Sequence, residues 1–173
     1  MVQIVPIADI PATAVEQLLD DAFGPDRHGR TAYRIRDGMA PLADLSFAAL
    51  EDGRMVGTIQ CWPIALTGDD GTDAPLVMVG PVAVAPDRQD IGIGRLLIHH
   101  ALEAADSTGQ DALMLIGDPD YYGRFFGFTA ERTAGWRVPG PVERHRLLAR
   151  GSAVPAGAGL LGPRAVCRIG ANA

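Results

Sequence analysis

Two glycines one residue apart, Gly92 and Gly94, stand where an apolar stretch gives way to an amphipathic one. The surrounding run, residues 82–95, reads Val-Ala-Val-Ala-Pro-Asp-Arg-Gln-Asp-Ile-Gly-Ile-Gly-Arg. Its pattern predicts a strand, a turn, and a helix opening near Gly92. The first amides of a helix lack partners within it and carry a partial positive charge, so they hold anions. Each charge so held is stabilised by about 0.3–1 kcal/mol, more when partly buried. Glycine has no Cβ, which lets a phosphate approach the backbone. The chemistry implied is therefore the holding of a phosphate-bearing ligand. Two common phosphate signatures fail on spelling. The dinucleotide fingerprint needs a third glycine where Leu97 stands, and the phosphate-loop motif needs Gly-Lys-Ser/Thr where Gly94-Arg95-Leu96 stands. An ordinary strand–turn–helix with glycine at the turn would be spelled the same way.

Nucleophiles and metal ligands are sparse. Cys61 and Cys167 form no CxxC pair, and His28, His99, His100 and His145 show no metal spacing, so no metal is expected. No histidine is placed by sequence to activate Cys61. Both thiols are expected free, buried or half-buried, in a reducing compartment.

The elements that must position the glycines follow from periodicity. Val2–Val5 reads as a short strand. Val15, Leu18, Leu19, Ala22 and Phe23 share one helical face, with Asp9 and Pro11 as start signals and Gly24-Pro25 as the stop. A second short helix is expected around Thr31–Arg36. Leu45–Glu51 and Arg54–Leu66 read as a hairpin through Asp52-Gly53, and Thr67–Ala74 as a surface loop. The apolar run 76–84 is a central strand interrupted at Gly80-Pro81, where proline cannot donate to a ladder and the strand must bulge or splay. Ile93, Leu97, Ala101 and Ala104 give the next helix its face, and Gly109 stops it. Residues 111–116 form a short buried strand. Pro119 opens a helix running to Phe126 and ended by Gly127. In the last 45 residues, 136–138, 146–148 and 165–169 are candidate strands. The strand–helix–strand order over 76–116 implies two parallel strands with a right-handed crossover, and the hairpins before it imply a mixed sheet.

The 173 residues suit one domain spanning 1–173, with enough chain to bury a substantial core. A net charge of −6 speaks against nucleic acid, although Arg27, Arg30, Arg34 and Arg36 form a local basic cluster. No apolar run is long enough for a membrane span and no secretory pattern opens the chain, so a cytoplasmic protein is expected.

At this point the residues resemble a known superfamily. Gln89-Asp90-Ile91-Gly92-Ile93-Gly94 resembles the Q/R-x-x-G-x-G/A signature of GNAT N-acetyltransferases, and Val82-Ala83-Val84-Ala85-Pro86 resembles the strand that leads into it. Residues 117–128, Gly-Asp-Pro-Asp-Tyr-Tyr-Gly-Arg-Phe-Phe-Gly-Phe, are similar to the tyrosine and Gly-Phe helix of a bacterial branch carrying a GDP-x-YY-x-RFGF segment. Gly135–Pro141 also looks like that branch. The resemblance covers about residues 45–141. It implies an α+β or α/β fold: a mixed, mostly antiparallel twisted sheet with a splayed parallel pair (76–84 and 111–116) and flanking helices. It implies acetyl-CoA as co-substrate, with pantetheine in the gap between that pair. Val82, Ala83 and Val84 would offer backbone groups to it. The amides of Gln89, Asp90, Ile91, Gly92, Ile93, Gly94 and Arg95 would cradle the pyrophosphate, with charge from Arg88 and Arg95.

The same resemblance implies a tyrosine near the coenzyme sulfur as acid for the leaving thiolate. Tyr122 is the first candidate and Tyr121 the second. The family spaces this tyrosine four residues before the Gly of Gly-Phe, which here is Gly123, so Phe125-Phe126 hold one extra residue and the helix is expected to bulge. The reaction implied is direct attack of an amine on the thioester in a ternary complex. Glu51, at a strand end, is a weak candidate for the base and reads more simply as a solvated hairpin charge. Residues 24–44 should border the acceptor, a small-molecule or peptide amine, and Arg30, Arg34 and Arg36 read either as partners for an anionic group on it or as solvated surface charge. A homodimer is compatible with the superfamily. A non-catalytic acyl-CoA sensor and a transferase of longer acyl groups are the alternatives.

Overall fold

The computed structural model describes residues 1–89 and 91–165. Its strands are β1 (Val2–Pro6), β2 (Phe47–Glu51), β3 (Arg54–Gly68), β4 (Asp73–Val84), β5 (Leu113–Ile116), β6 (Trp136–Arg137), β7 (Leu147–Arg150) and β8 (Gly159–Pro163). Among the described residues these eight form one sheet in the order β1-β2-β3-β4-β5-β7, with β8 on β3 and β6 on β8. The helices are α1 (Ala12–Phe23), α2 (Thr31–Ile35), α3 (Ile93–Ser107) and α4 (Pro119–Phe126). The sheet is mixed and mostly antiparallel, as expected, and β4 and β5 are its central parallel pair. A second parallel contact, β6 with β8, was not foreseen.

Alternation explains how the apolar run of β4 is used. Val77 and Val79 face one side, packing with Leu113 and Leu115 under Ile93, Leu97, Ile98 and Leu102 of α3. Leu76 and Met78 face the other, packing with Trp62, Met114, Trp136, Leu147 and Leu161. A strand buried on both faces needs no polar face, which is why the run is nearly continuous. α1 lays Val15, Leu18 and Leu19 against Ala83 and Ala85 at the end of β4, where small side chains leave it room. α3 packs closely on β3 because Gly57 has no side chain there: a Cβ would lie 2.9 Å from both Ile93 Cγ2 and Leu97 Cδ1.

Several boundaries differ from expectation. Half of the segment 67–74 is ladder, since β3 runs to Gly68 and β4 starts at Asp73, with Thr67 paired to Asp73 and Leu66 to Ala74, leaving a four-residue turn between. The last described strand is 159–163, earlier than the 165–169 read from sequence; residues 166–169 lie outside the described residues, as does Cys167. Asp9 sits in a 3-10 turn, and Pro11 precedes α1 without any side-chain cap.

Candidate active site

The site begins where two paired strands part. β4 and β5 are in register at Val77–Leu113 and Met78–Met114, and their pairing stops there. Beyond that point β4 continues through Gly80 and Pro81 to Val84 on its β3 partner alone, and the ladder slips between Ile59 and Cys61. The slip confirms the irregularity read from Gly80-Pro81. The Nε1 of Trp62 donates to the Gly80 carbonyl at 2.8 Å and holds the backbone at the parting point.

The turn after β4 delivers the start of α3 to this gap. Gly92 caps the helix at φ 87°, a left-handed conformation that favours glycine. Among the described residues no side chain caps α3, so its first amides are left for something else. A cavity of about 460 Å³ opens in front of them. Val82, Val84, Arg88, Gln89, Gly92, Ile93, Gly94, Arg95 and Tyr121 all border it, with Ala22 and Phe23 of α1 opposite. Two residues whose backbone groups were expected here send their side chains elsewhere. The Ala83 side chain is 1% exposed and turned toward α1, because alternation along β4 sends it to the face opposite Val82 and Val84. The Ile91 side chain is exposed to solvent and borders neither this cavity nor the second. Asp90 lies outside the described residues.

Glu51 borders neither cavity; it pairs with Arg88 at 2.6 Å, so it is not a freely solvated charge. Arg95 lies over the Phe125 ring at 4.1 Å from its centroid. Cys61 is buried, and burial pushes its thiol up to about 12, which removes it as a nucleophile at neutral pH.

A second cavity, of about 750 Å³, adjoins the first; Phe23 and Val82 border both. It reaches from Met78–Val82 and Leu115–Ile116 to the segment 27–36 and to residues 141–146. Residues 27–36 fall within the stretch expected to border an acceptor. The 141–146 side was missed, because it lies more than a hundred residues from α2 in sequence. The Thr31 hydroxyl donates to the Pro141 carbonyl at 2.6 Å and Arg34 to that of Pro139 at 3.2 Å, which ties the two walls together.

α4 sets one tyrosine toward each cavity: Tyr121 borders the first and Tyr122 the second, with their rings 4.9 Å apart and perpendicular. The extra residue in the Phe125-Phe126 pair is taken up at the end of the helix. The Gly127 N–H reaches the carbonyls of both Gly123 and Tyr122, and that of Phe128 also bonds to Tyr122. The last turn is thus wider than an α-helical one. Gly117 makes room for Tyr122, since a Cβ at 117 would collide with its ring. Burial, then the proximity of Tyr121, raises the Tyr122 hydroxyl above the usual tyrosine value, with Arg146 opposing. Burial raises Tyr121 as well, against Arg95. Both are therefore neutral O–H donors at physiological pH.

The four arginines clustered in sequence are not one surface patch. Arg30 and Arg34 are exposed; Arg27 and Arg36 are buried. Burial alone would push Arg27 down, but hydrogen bonds to Glu16, Tyr33 and Asp20 hold it above the ordinary arginine value. Arg36 makes no ion pair among the described residues, and burial outweighs the opposing influence of Tyr33 and Glu16 and lowers it to about 10.

A family model described as the acetyltransferase (GNAT) family matches residues 12–128, which include every residue bordering the first cavity and all those bordering the second except the 141–146 wall. The chain belongs to this family. It is 28% identical over 143 residues to the uncharacterized N-acetyltransferase YhbS of Escherichia coli K12, covering 80% of this chain and 83% of that protein. Two solved GNAT structures are similar in fold. One is Escherichia coli YhbS in complex with CoA, at a TM-score of 0.71 and 24% identity, covering 95% of this chain and 89% of that one. The other is a Brucella melitensis GNAT acetyltransferase in complex with acetyl-CoA, at 0.59 and 29%, covering 88% and 97%. Among the described residues of this GNAT chain no group of three acidic, histidine or cysteine side chains is placed to hold a metal. No described helix is long and apolar enough to cross a membrane.

Proposed function

We propose that the chain is a single-domain cytoplasmic N-acetyltransferase that moves the acetyl group of acetyl-CoA to an amine. One observation carries the reading. The uncapped start of α3, the parted strand β4 and the two tyrosines of α4 meet around two adjoining cavities that share Val82 and Phe23. The residues fit the co-substrate. Gly92 leaves open space where a side chain would stand, and a Cβ on Gly94 would point at Val82 and Val84 across the cavity. The amides opening α3 suit a pyrophosphate. The unpaired edge of β4, from Gly80 to Val84, suits the amides of pantetheine, which would lie along it like another strand.

The thioester then falls near Val82, where the cavities join. A neutral amine entering from the second cavity attacks the carbonyl carbon. The C–S bond breaks, and the thiolate takes a proton from Tyr122, whose desolvated hydroxyl remains protonated at neutral pH. The proton that the attacking nitrogen sheds as it becomes an amide passes to solvent, which returns one to Tyr122. Tyr121, on the coenzyme side, is the alternative donor. Holding amine and thioester together contributes up to about 7–11 kcal/mol of the barrier in favourable cases.

Calorimetry with acetyl-CoA, desulfo-CoA and NAD tests the reading. Micromolar binding of both CoA species and none of NAD is the expected result. Folded protein that binds neither CoA species would overturn it.

A further inference from the structure

Arg36 is 6% exposed, and what remains accessible opens into the second cavity. Its guanidinium is sandwiched between two rings, 4.1 Å from the Tyr33 centroid and 3.7 Å from that of Trp62. Stacking gives attraction on both faces but brings no negative charge. Among the described residues no carboxylate lies within ion-pair distance of it, and its Nε is buried without a hydrogen-bond partner. Removing a cation from water is costly unless an anion accompanies it. Arg27 shows the contrast in the same wall: Glu16 and Asp20 both hold it. Arg36 is thus a buried positive charge lacking its partner, at the edge of a space large enough for a ligand.

We propose that the acceptor is an amine that also carries a carboxylate, and that the carboxylate docks on Arg36 while the amine faces the β4 backbone at Gly80–Val82. This deepens the acetyltransferase reading and rests on it. One uncompensated buried cation calls for one negative charge, and a planar guanidinium fork suits a carboxylate. Trp62 sets the spacing, because the ring beneath Arg36 is the one whose Nε1 holds the Gly80 carbonyl. The anion site is one indole away from the point where β4 and β5 part. That short separation matches the amine and carboxylate of an amino acid. The arrangement also assists the chemistry. A fixed positive charge nearby lowers the pKa of the acceptor's ammonium and favours the neutral amine that must attack. Glu143, the one acidic residue bordering the cavity among those described, is exposed and paired with His145 rather than with Arg36.

The test compares the standard amino acids with their carboxamides, which keep the amine and lose the charge. Each is titrated calorimetrically into the protein with CoA present, and transfer is followed with acetyl-CoA by release of the free thiol. In the unmodified protein at least one amino acid should bind and react about tenfold or more better than its own amide, as expected for a charge-assisted contact. Arg36→Gln should abolish that preference and leave acetyl-CoA affinity unchanged, while Arg36→Lys should restore part of it. If every amide does as well as its acid in the unmodified protein, or if Arg36→Gln keeps the preference, the proposal is wrong. Loss of acetyl-CoA binding by the unmodified protein would instead overturn the acetyltransferase reading.

Discussion

Gly94 supplies space rather than a turn conformation, and that makes it a sharp probe of the first cavity. A methyl group there would sit 3.7 Å from Val84 Cγ2 and 3.8 Å from Val82 Cγ1, which is ordinary contact. Gly94→Ala should fold normally and gain up to about 1 kcal/mol from helix propensity. The same methyl occupies the floor on which the coenzyme would lie, so acetyl-CoA affinity should fall about tenfold as contacts there are displaced. Calorimetry and thermal unfolding on one sample would show the two effects moving in opposite directions. Tyr122 is tested differently. Tyr122→Phe should lower kcat about a hundredfold, the low end of what a positioned acid contributes, with little change in acetyl-CoA affinity. Because burial raises its hydroxyl, the unmodified enzyme should keep this donor until the pH passes the usual tyrosine value, and no tyrosine-dependent decline should appear in kcat below it. If Tyr121→Phe gives the larger loss of kcat, the two rings exchange roles.

At the scale of elements, what was legible in the sequence was what repeats locally. α1, α3 and the hairpin of β2 and β3 show their period within a dozen residues, and the irregularity in β4 is announced by Gly80-Pro81. The pairing of β8 with β3 was not legible, because it joins Gly159–Pro163 to Ile64–Gly68 across nearly a hundred residues, and neither segment alternates cleanly. The two-residue β6 carries too little pattern to show its partner. The contact between α3 and Gly57 was hidden for the same reason: a glycine in a strand signals close approach without saying to what. That contact governs where the anion-holding end of α3 lies. In Gly57→Val a side chain would begin 2.9 Å from atoms of Ile93 and Leu97 and 3.2 Å from the Ala83 carbonyl. Overpacking of this kind costs about 1–3 kcal/mol. Ile93 is the first residue of α3, so relief by moving the helix would also displace the amides at its start. Gly57→Val should therefore lower the thermal midpoint and weaken acetyl-CoA binding together, whereas Gly94→Ala weakens binding without lowering the midpoint.

At the scale of the whole molecule, the overall charge of −6 conceals the character of the second cavity, which is bordered by Arg27, Arg30, Arg36 and Arg146 against Glu143. Tyr33 stands near Arg36 in sequence, but Trp62 reaches it only through the fold, so burial of Arg36 was not readable from a run of arginines. The folded state carries a cost for this placement. An arginine lowered from its ordinary value to about 10 represents about 3 kcal/mol between its charged and neutral forms at 1.36 kcal/mol per pH unit. For a cation depressed on folding, the unfolded chain holds the proton more tightly. The penalty is then present in full below about pH 10 and is relieved as the pH rises from there toward the ordinary arginine value. Neutral pH lies wholly inside the penalised range. Arg36→Met keeps a long side chain between Tyr33 and Trp62 and removes the charge. It gives up cation–π attraction of about 0.5–2 kcal/mol, so the net gain should be about 1–2 kcal/mol. In a chain of this length that is a rise of about 2–8 °C in thermal midpoint. The same substitution should remove any preference for a carboxylate-bearing acceptor. A more stable protein that has lost its acceptor selectivity would mark Arg36 as a residue kept for its ligand at the expense of the fold. A lower midpoint in Arg36→Met would mean that the two rings already satisfy the charge.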